Sequence, residues 1–106
     1  MHALVGVWSL APGGGDGLDS HARLGAAITH LPGFVQAFWS LDAETGKVHS
    51  FDVFEDEGAV LRLRDLLEAK SGAQARAGLS YDRLSIVEVK AWARATDSPV
   101  KAEAGS

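Results

Sequence analysis

The sequence predicts one small α+β domain, a four-stranded antiparallel sheet with two helices on one face. Three observations predict it. Six segments with strand or helix periodicity follow one another between residues 2 and 93 in the order strand, helix, strand, strand, helix, strand. The length of 106 residues suits one hydrophobic core and not two. The two central strands are joined by a loop too short for anything but an antiparallel hairpin.

The first strand is His2 to Leu10, rich in Val, Leu and Trp, and it ends at Ala11-Pro12-Gly13-Gly14-Gly15. Asp19 or Ser20 is a suitable N-cap for a first helix, whose apolar positions Leu24, Ile28 and Leu31 recur until Pro32-Gly33 stops the pattern. Phe34 to Leu41 and Val48 to Glu55 form the hairpin, with Ala43, Glu44, Thr45 and Gly46 between them. Asp56 caps a second helix with Val60, Leu63, Leu66 and Leu67 on its apolar side and Arg62, Arg64, Asp65 and Glu68 mostly on its wet side. Residues 69 to 83 read as a loop with one helical turn, and Leu84 to Ala93 alternates as a last strand. The domain therefore spans residues 1–94, and 95–106 is expected to be a flexible tail. This βαββαβ order is that of the ferredoxin-like fold.

An even-numbered loop across Ala43 to Gly46 pairs Leu41 with Val48 and Trp39 with Ser50. Simple alternation then places Val35, Ala37, Trp39, Leu41, Val48, Ser50, Asp52 and Phe54 on one face. Phe34, Gln36, Phe38, Ser40, His49, Phe51, Val53 and Glu55 fall on the other. Both faces are apolar, yet two helices cover only one. The other calls for a partner, and the simplest is a second copy, giving a homodimer packed sheet to sheet.

A formal charge of -4 argues against nucleic acid as a partner, because phosphate recognition needs basic clusters. The absence of cysteine excludes disulfides and thiol chemistry and suits a cytoplasmic protein. No apolar run approaches the ~20 residues of a bilayer span, and a strand-like run begins directly after Met1, so neither a membrane anchor nor a signal peptide is expected.

The run from Pro32 to Glu57, with Pro32-Gly33-Phe34 opening a strand, a D-x-E-T-G-K turn, and VHSFDVFEDE leading into a helix, resembles the dimeric α/β-barrel proteins. Within them it is most similar to the antibiotic-biosynthesis-monooxygenase group. The resemblance implies a ferredoxin-like protomer, a dimer whose two sheets close a barrel, and a pocket between sheet and helices. It further implies functions ranging from cofactor-independent oxygenation of quinols or polycyclic phenols to haem degradation, decarboxylation and isomerisation, and it includes members without known activity. The haem-degrading and several oxygenating members use an asparagine beside the substrate. This chain has no asparagine, which sets it apart from haem degradation.

His21, one helical step before Leu24 and Ile28, is a candidate general base facing the sheet, or a solvated residue at a helix start. Asp52, inside a strand, must be paired, hydrated or shifted in pKa; it is either a second candidate base or half of an ion pair, with Lys90 as the nearest choice of partner. Trp8, Trp39 and Trp92 offer flat apolar walls with one N–H each, for a planar substrate or for ordinary packing. Gln36 and His49 share the other hairpin face, either orienting a ligand or meeting a partner, and Tyr81 precedes the last strand, where it either closes a pocket or lies on the surface.

The GGGDG loop lacks a phosphate-binding pattern, and the four histidines lack metal-ligand spacing, so no metal and no cofactor are expected. These residues lead to two expectations. One is a cofactor-independent monooxygenase-like homodimer acting on a small aromatic or quinol compound. The other is a non-catalytic small-molecule-binding or stress-response dimer of the same fold.

Overall fold

A computed structural model of the chain describes residues 1–10, 15–76, 78–93 and 101–102, with backbone alone at 15–21 and 101–102. The elements are β1 (His2–Leu10), α1 (Gly15–Ile28), β2 (Phe34–Leu41), β3 (Lys47–Phe54), α2 (Glu57–Arg76), β4 (Leu79–Glu88) and the two-residue strands β5 (Ala91–Trp92) and β6 (Lys101–Ala102). The first four strands make one antiparallel sheet in the order β2-β3-β1-β4, and β5 pairs with β6 apart from it. The fold is thus α+β, with four antiparallel strands and two helices, compatible with a ferredoxin-like chain. It departs from the expected six elements by the extra β5 and β6.

The register sorts the helix-facing residues into rows across the sheet. Leu41, Val48, Trp8 and Tyr81 form one row; Trp39, Ser50, Gly6 and Leu84 the next; Ala37, Asp52, Leu4 and Ile86 the third; Phe34, Phe54 and His2 the last. On these rows rest Ile28 of α1 and Ala59, Val60, Leu63 and Leu67 of α2, so both helices contribute to a single core with Leu4, Trp8, Val48 and Phe54. The hairpin pairing expected from the loop length holds at Leu41 with Val48 and Trp39 with Ser50. In the turn, Asp42 Oδ1 accepts the Glu44 amide at 2.9 Å, which holds its carboxyl below the usual range, and Gly46 takes φ 72°.

Several boundaries differ from the sequence reading, among them β3, which is Lys47–Phe54 and not Val48 to Glu55, and the end of α1 at Ile28. The first helix reaches back to Gly15, so Asp19 and Ser20 lie inside it; no proline after Pro12 stops it sooner. The second helix does start beyond Asp56, whose Oδ1 accepts the Ala59 amide at 2.8 Å. It then runs on to Arg76, because Ala69, Lys70, Ala73, Gln74 and Ala75 are strong helix formers that outweigh Gly72. Gly78, at φ 90°, turns the chain after it. The last long strand spans Leu79–Glu88, not Leu84 to Ala93, since Leu79 to Ser80 already pair with β1 beyond a register shift between Val7 and Trp8. Of the expected tail, Lys101 and Ala102 pair with β5, and the rest of 95–106 lies outside the described residues, as does the loop before Gly15.

The hairpin faces also change at one end. Phe34 pairs with Phe54 and Gln36 with Val53, which leaves Val35 as the extra residue of a β-bulge. Phe34 therefore faces the helices, edge-on to Phe54 at 5.7 Å, while Val35 is exposed. Gly33, at φ 83° with its carbonyl accepting the Glu55 amide at 2.8 Å, sets this entry. On the outer face Phe38 and Phe51 stack at 5.7 Å and 9°, with Phe38 51% exposed. At the far end Asp82 accepts from Ser9 Oγ and Lys47 Nζ, both at 2.8 Å, tying β1, β3 and β4 together.

Candidate functional site

Among the described residues Asp52 is the one charged residue that is buried; Glu88, which ends the last of the helix-facing rows opposite His2, is exposed. Asp52 is 3% exposed, and its ladder neighbours on either side are the apolar Leu4 and Ala37. Its Oδ1 is shut away from water without a hydrogen-bond partner, and burial pushes its pKa up to about 7. The expected partner Lys90 is engaged elsewhere, 2.6 Å from Glu88, which it holds below the ordinary carboxylate range. A carboxyl so placed is neutral or charged with nearly equal ease at neutral pH, the property a general acid or base needs.

Its neighbours across the sheet come from β1 and β2. Because β2 is an edge strand, Ala37 is all that the sheet places between Asp52 and that edge, with Phe34 and Trp39 on the rows to either side. Trp39 is half-buried under α1, where Gly25 leaves room for it: a β-carbon there would lie 2.4 Å from the indole Cη2. Ser50, two residues along β3, accepts the Trp8 indole N–H at 2.9 Å. Gly6 permits that bond, since a β-carbon would come within 2.6 Å of both atoms. The sequence pattern suggested neither glycine.

The expected site residues separate into three places. Asp52 and Trp39 share the β2 side of the interior. Trp8 is fully buried beside them and packs edge-on against Tyr81 at 5.7 Å and 85°. Tyr81 itself lines a pocket of about 310 Å³ between the C-terminal half of α2 and the start of β4. Gln36 and His49 are exposed on the opposite face, on different rows, and Gln36 lines a second pocket of about 160 Å³ with Phe51, Val53 and Trp92. The side chain of His21 lies outside the described residues; its backbone belongs to α1.

Missed by sequence reading are Ser71 and Gln74, which line the larger pocket but fall where a loop was expected. Among the described residues no group of three or more His, Cys, Asp or Glu could hold a metal ion, and no helix is long and apolar enough to cross a membrane. No protein-family model matches the chain, and no curated protein is similar enough to it to count as a relative.

Proposed function

We propose that the chain is a cofactor-independent monooxygenase-like protein of the dimeric α/β-barrel type, acting on a small aromatic or quinol compound, with Asp52 as its base. The observation that carries this is the buried Asp52 carboxyl with an unpartnered oxygen. Burying such a group costs stability, and acid–base work is what would retain it. An anthrone-type substrate, in its enol form, enters from the β2 edge over Ala37, between Phe34 and Trp39, and yields its O–H proton to Asp52. The anion passes an electron to O₂; the two radicals combine in a C–O bond, the resulting peroxide anion takes the proton back from Asp52, and the hydroperoxide expels water to leave the quinone. One atom of O₂ ends in the product and the other in water. Oxygen uptake with anthrone should fall ~100-fold or more in Asp52→Asn. If the variant matches the parent, Asp52 has no part in the chemistry; a loss confined to His21→Ala would move the base to α1.

The homodimer belongs to the same reading. Phe38, Val35 and Val87 are exposed on the outer face, beside the partly buried Phe51, and a second copy of that face covers them. Light scattering at micromolar concentration should give twice the 11.2 kDa of one chain, and Phe38→Asp should return it to one. A parent that scatters as a single chain removes the dimer. A cytoplasmic location belongs to the same reading, and a chain without cysteine suits it.

A second reading, a non-catalytic binding protein of the same fold, is favoured by one finding. Both pockets described above are lined by residues other than Asp52.

A further inference from the structure

We infer that the outer edge of β2, together with the pocket beside Trp92, binds an extended peptide segment of another protein, one with apolar residues at alternate positions and a basic end. Recognition there does not rest on the oxygenase reading.

Two observations meet at this place. β2 is the outermost strand of the sheet, and from Gln36 to Leu41 it keeps an unbroken register with β3. Among the described residues no strand pairs with its other side, where main-chain N–H and C=O groups alternate. The ligand that answers such a row is another extended main chain, which meets it group for group. The pocket of about 160 Å³ borders the same strand: Val35 and Gln36 line it from β2, Phe51 and Val53 from β3, and Trp92 from β5.

The size of the pocket decides what enters. An apolar cavity of ~150 Å³ admits benzene, so this one takes a single phenyl ring or branched aliphatic side chain. In a strand laid along β2, the residue level with Gln36 directs its side chain onto the outer face at the pocket. The next to do so, two residues away, comes level with Phe38, which is 51% exposed. That spacing calls for apolar residues at alternate positions. Glu55, whose amide bonds Gly33 beside the start of β2, and Glu57 are both exposed, and they favour lysine or arginine at the end of the peptide nearest the pocket. Val35 and Phe38 also belong to the face proposed above for a second copy, so the test must tell the two occupants apart.

The probe is the peptide acetyl-Lys-Lys-Val-Thr-Phe-Thr-Val-amide, titrated into the full chain and followed by amide NMR. Saturating shifts should be largest at residues 34–41 and at Trp92. Methylating the backbone nitrogens of both threonines, or instead those of the phenylalanine and the last valine, should abolish binding in one case and spare it in the other, because only one edge of the peptide meets β2. Changing the peptide's phenylalanine to alanine should weaken binding about tenfold, and so should Trp92→Ala in the chain. Exchanging both lysines for glutamates should weaken it about fivefold. In the free chain alternate amides of residues 36–41 should exchange rapidly with solvent hydrogen and slow when the peptide binds. The inference is overturned if no shift saturates, if the shifts gather at residues 71–75, if both methylated peptides bind like the parent peptide, or if the alanine or glutamate peptide binds as tightly. Slow exchange along the whole run without peptide also overturns it, because a second copy then already pairs with the edge.

Discussion

Replacing Asp52 with Asn should remove a large pH dependence of folding. In the folded chain its pKa is raised to about 7 from 3.8, because burial between Leu4 and Ala37 disfavours the charged form. The folded state therefore holds a proton that the unfolded state has released between those values, and stability must fall as pH rises through that window. Full stability from this group is present below about pH 4, is lost progressively up to about pH 7, and changes no further above. At about 1.4 kcal/mol per pH unit the loss is ~4 kcal/mol, a sizeable share of a small domain's total. Urea unfolding at pH 4.5, 6.0, 7.0 and 8.0 should show this decline in the parent, with a correspondingly flatter profile in Asp52→Asn. Parallel profiles would mean that Asp52 is solvated or paired in solution.

Phe54→Ala should cost ~3–5 kcal/mol, the range for emptying a fully buried aromatic site. Phe54 is 0% exposed, sits in the core with Val60 and Leu63, and meets Phe34 edge-on. Its loss leaves a cavity that neither α2 nor the bulged start of β2 can readily close. Thermal melting by circular dichroism should show a fall of more than 10 °C for a chain of this length. A shift of only a few degrees would show that the site collapses to fill the space.

The hairpin was legible because its register follows from loop length, a local property. Phe34 was not. Its turn toward the helices depends on the extra residue Val35 and on the conformation of Gly33, whose β-carbon position lies 3.3 Å from that of Ala59. That contact joins two parts of the chain, and alternation along one strand carries no trace of it. The late start expected for β4 has a similar cause. Tyr81, Asp82 and Arg83 break the alternating pattern, and only pairing with Trp8 and Val7 shows that a bulge, not a loop, accounts for them. Asp52 stood out as a carboxylate on an inward strand position, but that Lys90 pairs with Glu88, and that Asp52 lies between Leu4 and Ala37, follow from the sheet register and not from the alternation. Gln74 and Ser71 were hidden because a helix without an apolar stripe looks, in sequence, much like a loop.

The two edges of the sheet are protected very differently. β4 carries Asp82, Arg83 and Glu88, whereas β2 runs Phe-Val-Gln-Ala-Phe-Trp-Ser-Leu without one charge or proline. Charged side chains along an edge repel strands that arrive from other molecules, and β2 has none to do so. Its row of outward amide and carbonyl groups is a template on which another extended chain can zip up. Crowding during synthesis, or heating toward the melting point, should therefore bring this strand into fibrillar contacts before any other part of the molecule.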